Sequence, residues 1–525
     1  MGTSLGTGPS TAEPVQSLTV FNLTVTGTLY PSQGIASSAS APITIAASGA
    51  TAAEKAQALL SNGIVTATTP AADINTLIAS GGYFQLLGHF DMEARLDTNV
   101  SNLHLFGNGL TELDFSAVAG GSYLIYTNGG PTATTSNLAS DAAAGDHHIH
   151  LAAGQGASYA AGDWIRIQSE ATFQGTVKKG EFCQVDSVAT DQINLVEPLI
   201  DAYATADTAK IYKMTFYTNQ TFRDFSILAQ NADEQLAGIR LEGVKTVAIE
   251  RVKITDCHFC GVGIDEFIDV TIRDLQVIRA NDVDSTGYGI SVGAGQHLKV
   301  FGGIGRDCKH VVSCGGGTYV PTRFVTVVGM GGIDSPSDVP GFDVHAGAEQ
   351  VKFIGCETVN RQLVSASGMH IIYQGCTCKN PTGRPGQVYA TADDVLIDGC
   401  DFRDCADPIY HNPGELRVKV VNTKGENPKG LVTNPFDNDS PYAIGITDDV
   451  AVPTASRAYV VVGQDILITA ANSANTDNAI LVKDAAGNTV VGPVGTLSAQ
   501  FVPCGWTINW GAFTGVAGAV SVWGL

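Results

Sequence analysis

The stretch GFDVHAGAEQVKFIGC, residues 341–356, sets Asp343 and His345 two positions apart, ahead of an apolar alternation that closes on Gly-Cys. A carboxylate and an imidazole are residue types of general acid–base chemistry. In a strand, residues i and i+2 share a face, so Asp343 and His345 point one way and Phe342 and Val344 the other. The apolar pair belongs inside, which leaves Asp343 and His345 outward. Other carboxylates compete for the same role. GVGIDEFIDV carries Asp265, Glu266 and Asp269, and RANDVDSTGYGI carries Asp282 and Asp284 in a glycine-flanked loop beside Tyr288. GRDCKHVVSC supplies Arg306, Lys309 and His310, and YVPTRF supplies Arg323, cations of the kind that neutralise an acidic group. Tight turns also use Asp and His for local hydrogen bonds, so the elements that place these residues must decide.

Those elements repeat. The segments VAIERVKITDC, VTIRDLQVIRA, LKVFGGIGRDC, VTVVGMGGI, VKFIGCETVN, IIYQGCTCKN, VLIDGCDFRDC and LRVKVVNTKG begin 20 to 28 residues apart. Aligned on their starts they give two cysteine columns, Cys356, Cys376 and Cys400 in one and Cys257, Cys308 and Cys405 in the other. A period of this length built of short alternating strands is the pattern of a solenoid, whose coils bury their inner side chains only by stacking. The reading is an all-β fold, a right-handed parallel β-helix. Cysteines at one offset then lie one rung apart inside it, about 4.8 Å between strands, spread along an axis rather than converging as metal ligands do.

The front of the chain, TAAEKAQALLSNG and PAADINTLIASGGYFQLLGHF, predicts one or two short helices that cap the open end of the solenoid. Between 120 and 215 the repeat vanishes, and short strands with Gly-Asp turns predict a small β insertion. The expected organisation is an N-terminal arm over 1–45, capping helices and first coils over 46–119, the insertion over 120–215, the groove-bearing β-helix over 216–440, and an antiparallel β-domain over 441–525.

Composition narrows the function. With 525 residues, 60 glycines and 15% charged residues, the chain is β-rich and has no apolar run of membrane-spanning length. A net charge of −22 argues against nucleic acid, whose binding rests on Lys and Arg, and against anionic membranes. The first residues show no secretory signal pattern, and the 11 cysteines do not make a paired disulfide framework. In DHHIH, His148 and His150 share a strand face and His147 points away, too few ligands for zinc. No metal and no cofactor are expected.

ADINTLIASGGYFQLLGHF, VSNLHLFGNG, AGDWIRI, KGEFCQVDSV and GFDVHAGAEQVKFIGC together resemble bacteriophage tailspike proteins and related β-helical polysaccharide-degrading enzymes, over roughly residues 50 to 440. The resemblance implies a homotrimer, a C-terminal region for trimerisation or sugar binding, and attachment to other phage tail proteins through the N-terminal arm. It places the protein on the virion tail, acting at the host surface on a bacterial polysaccharide. Counting back from the coil starts puts His345, Ser365, Tyr389 and Tyr410 at one offset, a polar and aromatic column of the kind a carbohydrate groove needs. Hydrolysis requires two carboxylates about 5 Å apart for retention or about 6.5 to 9.5 Å for inversion, which neighbouring rungs supply. Asp343, His345, Asp282, Asp284 and Glu266 are the catalytic candidates, and Tyr389, Tyr410, His310, Arg323 and Tyr288 the substrate-binding ones. The expected function is an endoglycosidase that depolymerises a capsule or O-antigen. The alternatives are a lyase using His345 or Tyr389 as base, and a β-helical fibre protein that binds without cleaving.

Overall fold

A computed structural model describes residues 63–66, 71–118, 123–229, 237–280, 287–335, 339–381, 384–405, 409–411, 418–421 and 423–426, with further strands between 457 and 524. Its body is a stack of coils; the later ones are made of three short strands, and in two earlier ones the first two strands run together as Ala237–Glu250 and Cys260–Arg273. One coil runs Phe342–Val344, Ala348–Ile354 and Glu357–Val359. Every strand pairs in parallel with its counterparts on the coils before and after: Phe342 lies between Val312 and Val364, Val351 between Val325 and Ile371, and Thr358 between Gly332 and Cys378. The alternation seen in the sequence is the inside and outside of this wall. Val325, Val351, Ile371 and Val395 stack in the interior with almost no exposure, beside Val327, Phe353, Tyr373 and Ile397.

The cysteine columns follow from the corners. After the second strand the chain turns through a residue at positive φ, which is Asp224, Arg251 and Asp274 in the early coils and Gly355, Gly375 and Gly399 in the later ones, the glycines at φ 59, 59 and 62. Glycine meets no side-chain penalty in this region. The next residue faces inward, and in these three coils it is Cys356, Cys376 or Cys400. The corner after the third strand is built the same way, with Asp256, Asp307 and Asp404 at positive φ ahead of Cys257, Cys308 and Cys405. All six thiols are buried. Several reach back to a carbonyl of the preceding coil: Cys376 Sγ donates to Phe353 O at 3.3 Å and Cys400 Sγ to Tyr373 O at 3.5 Å. The Gly-Cys and Asp-Cys dipeptides are therefore corner residues followed by small core residues.

The helix Ala71–Ile78 closes the first coil. It ends before Gly81 and Gly82 and adds Ile74 and Ile78 to the core of the coils. The helix expected in TAAEKAQALLSNG lies outside the described residues. Residues 130–215 leave the stack and form a six-stranded antiparallel sheet in the order Gly130–Asn137, Lys210–Thr215, Trp164–Gln174, Val177–Ala189, Gln192–Leu195 and His148–His150. This sheet has its own core around Ile149, Ile165, Ile167, Ile193 and Ile211. Near the C-terminus two further antiparallel sheets occur, one of four strands and one of three. Among the described residues no helix is long and apolar enough to cross a membrane.

Candidate active site

Phe342 and Val344 face inward with no exposure, as the alternation requires. Asp343 takes the opposite face but is not open to solvent: its side chain is 5% exposed, whereas that of His345 is 56% exposed. This corrects the expectation that both stand outward. Neighbouring coils cover the carboxylate, because the residues in register with Asp343 are Ser313 below and Ser365 above. Both hydroxyls donate to it, Ser313 Oγ at 3.0 Å and Ser365 Oγ to the other oxygen. His345 Nε2 lies 2.6 Å from Asp343 Oδ2, and His310 Nε2 lies 3.8 Å from the same oxygen. Burial opposes ionisation of Asp343, but the hydrogen bond from His345, the fields of His310 and His345 and the Ser365 hydroxyl outweigh it and hold the carboxyl at about 2. The same hydrogen bond raises His345. His310 is buried, which lowers its pKa; its Nδ1 lies 2.6 Å from Pro340 O, and its ring stacks on Tyr288 with centroids 5.6 Å apart. Asp343 is thus an ionised anchor that orients an accessible imidazole.

The expected surface column is out of register. His345, Ser367 and Tyr389 each directly follow the in-register residues Val344, Ala366 and Val388, while Ser365, Gln387 and Tyr410 belong to the row of Asp343. Turn length explains the slip at Ser365: seven positions separate Val344 from Val351 but five separate Ala366 from Ile371, so counting back from the coil start lands two residues off without disturbing the inside–outside parity. Tyr410 is also two residues off, because the coil after it starts in register at Val418 and not at Leu416. Arg323 also departs from its expected role. It is 1% exposed, pairs with Asp201 of the insertion at 2.6 Å and with Glu349 of the coils at 2.9 Å, and stacks over Phe173. It fastens the insertion to the solenoid and offers no charge to a substrate. Asp282 and Asp284 lie outside the described residues.

Glu266 sits in a second cluster. Glu242 and Asp265 are in register on adjoining coils. Arg240 Nη2 lies 2.6 Å from Glu242 Oε1 and 3.4 Å from Asp265 Oδ2, so these oxygens are no more than about 6 Å apart. Tyr126 Oη donates to Glu242 Oε2 at 2.9 Å. Asp265 Oδ1 accepts the backbone N–H groups of Glu266 at 2.9 Å and Ala294 at 2.8 Å. Glu266 pairs with Arg166 from the six-stranded sheet. Burial raises both Asp265 and Glu266; for Glu266 the Arg166 charge opposes burial and the charges of Asp265 and Glu242 reinforce it. The three carboxylates remain partly exposed, Glu242 at 24%, Asp265 at 33% and Glu266 at 21% of their side chains. Sequence reasoning missed Glu242, Arg240 and Arg166. Glu242 was legible, since it precedes the Val247 coil start by the offset at which Asp265 precedes Val270.

Between the clusters the outward positions are small: Gly263, Ser291 and Ser313 in one row, Gly293 and Gly315 in the next. The carboxylates and His345 are thus three rungs apart, about 14 Å, with only glycine and serine at the outward positions named between them. Metal-type ligands occur elsewhere. His89, Asp91 and Asp114 bring ligand atoms within 4.8 Å of one another at the first coils. Both ring nitrogens of His89 are already engaged, by Glu112 at 2.9 Å and Asp91 at 3.0 Å. His147, His148 and His150 are all exposed on the insertion, and the rings of His148 and His150 stand 5.3 Å apart.

This architecture has known counterparts. Residues 255–405 match the family described as Gp49, pectin lyase-like. The tailspike protein gp49 from Pseudomonas phage LKA1 superposes with a TM-score of 0.50 at 15% identity, over 86% of this chain and 92% of the other. The tailspike gp61 of Pseudomonas phage phi297 gives 0.50 at 16% identity over 86% and 90%, and ORF18 of Geobacillus virus E2 gives 0.52 at 13% identity over 86% and 82%. No curated protein matches the chain. The fold is that of the phage tailspike β-helices, as the sequence resemblance implied.

Proposed function

We propose that this protein is a tailspike-like depolymerase that binds a bacterial surface polysaccharide, capsule or O-antigen, and cleaves it by glycoside hydrolysis. The observation that carries the reading is the gathering of Glu242, Asp265 and Glu266 on adjoining coils, with burial and mutual repulsion holding the Glu266 carboxyl above its ordinary range. A carboxyl with a raised pKa beside a second carboxylate is the pairing that glycosidases use. Glu266 donates the proton to the leaving oxygen, and Glu242 attacks or activates water. Asp265, whose Oδ1 is taken up by two backbone N–H groups, holds Arg240 in place. On this reading the protein is a homotrimeric component of the virion tail, docked through residues 1–45 and active at the host surface. Residues 216–440 carry the groove, and 441–525 serve trimerisation or sugar binding.

A second reading, elimination next to a uronate carboxylate, is favoured by His345, an exposed imidazole whose other edge is fixed by a buried carboxylate. One experiment separates them. The protein is incubated with a panel of bacterial polysaccharides while reducing ends and unsaturated uronates are followed. Hydrolysis yields reducing ends alone, lost at least about a hundredfold in Glu266→Gln and Glu242→Gln. Unsaturated products that vanish in His345→Ala establish the lyase, and binding with no product of either kind establishes a receptor-binding fibre.

A further inference from the structure

The hairpin that ends the strand Trp164–Gln174 turns at Gly175 and returns at Val177, and its tip lies against the solenoid. Gly175 leaves the room: a Cβ there would stand 3.2 Å from Ala346 Cβ. Gln174 reaches three successive coils from this tip. Its Oε1 accepts the N–H of Gly347 at 2.8 Å, and its Nε2 donates to Ser367 O at 3.0 Å and Thr391 O at 2.6 Å. Those three groups belong to the turns that begin with His345, Ser367 and Tyr389. The middle turn is two residues shorter than the outer ones. His345 and Tyr389 accordingly project into solvent on either side, Tyr389 at 38% exposure, while Ser367 is recessed between them. The outer two residues are two rungs apart, about 10 Å.

We infer that this notch is a saccharide-binding subsite, with the faces of His345 and Tyr389 as its sides, the Ser367 hydroxyl at its floor and Gln174 as the positioning residue that keeps turns of unequal length in one row. Flat rings flanking a hydroxyl suit a pyranose, which presents apolar faces and polar edges. An amide with one acceptor and two donors is needed at Gln174, because its three partners are an N–H and two carbonyls. The insertion thereby shapes the binding face it touches. The inference rests on the reading of the chain as a polysaccharide binder, but not on how the bond is broken.

The test measures binding and turnover separately, with the same polysaccharide panel and full-length Gln174→Met, Tyr389→Ala and Tyr389→Phe variants. Gln174→Met is expected to raise KM, or the dissociation constant where no cleavage occurs, about tenfold with kcat within about twofold; Tyr389→Ala does the same, and Tyr389→Phe restores binding. Binding unchanged in Tyr389→Ala, whose exposed side chain can be removed without touching the core, overturns the subsite and leaves the depolymerase reading standing. Binding that weakens in the variants of a protein that cleaves nothing supports the subsite and removes the hydrolase. Absence of binding by the wild-type protein across the panel overturns both.

Discussion

Asp343 Oδ2 lies 2.6 Å from His345 Nε2, yet only the imidazole reaches solvent. The carboxylate is a buried acceptor served by two hydroxyls and an imidazole, so removing its charge leaves donors facing an amide. Asp343→Asn should therefore destabilise the protein by about 2 kcal/mol, read from denaturant melts, since breaking a buried charged network costs on that scale. His345→Ala removes an exposed ring and should alter the melting temperature little. Equal stability of Asp343→Asn and wild type would count against the buried assignment.

The acid limb of stability carries the same signature. The Asp343 carboxyl stands at about 2 in the folded protein, below the value near 4 of an unfolded chain. A depressed carboxyl contributes stability that is present above about pH 4 and disappears as pH falls towards about 2. The wild type should lose stability across that window, and Asp343→Asn, already lacking the contribution, should fall less steeply there. Parallel curves would show that Asp343 is not the group responsible.

The period of the coils, the outward and inward sets and the burial of the cysteines were legible because each rests on alternation, which a strand expresses directly. Register across the surface was not. The turn at Ser367 is two residues short, and an even change in turn length leaves the apolar pattern intact while displacing Ser365 into the row of Asp343; Tyr410 falls in that row because the coil that follows it starts in register at Val418 and not at Leu416. Burial of Asp343 was hidden for another reason: the groups that cover it, Ser313 and Ser365, come from other coils and are ordinary residues in sequence. Arg323 reads as a surface cation until Asp201 of the insertion is brought against it.

Arg323 makes the clearest prediction about that insertion. It is 1% exposed and satisfies two carboxylates, so Arg323→Met leaves Asp201 and Glu349 without their cation. Removing one partner of a buried pair costs about 3 to 5 kcal/mol. The expected result is a lower melting temperature together with faster proteolysis within residues 130–215. Stability and cleavage pattern like the wild type would sink the role of Arg323 as a fastening.

The interior thiols can be read chemically. Cys356, Cys376 and Cys400 are buried and bonded to backbone carbonyls of their own coil or its neighbour. They should react with a thiol reagent only as fast as the solenoid opens, and all three together once denaturant is added. Rapid modification of any one in the native protein would mean that the corner placing it inside is misassigned.

The carboxylate cluster gives a prediction whose sign is fixed. Burial raises Glu266, and the Arg166 charge pulls it back down. If Glu266 is the general acid, kcat should fall as pH rises through its raised pKa, because the proton to be donated is gone. Arg166→Met removes the opposing charge, so the folded Glu266 should hold its proton to still higher pH and the alkaline limb of the kcat profile should move upward. Arg166 lies in the six-stranded sheet and pairs with the Glu266 carboxylate rather than serving as the acid itself. The variant should therefore retain turnover at the acidic end of the profile. An alkaline limb that stays where it was, in a variant that is folded and active, would separate Glu266 from the titrating acid and move the role to Asp265, whose carboxyl is also raised.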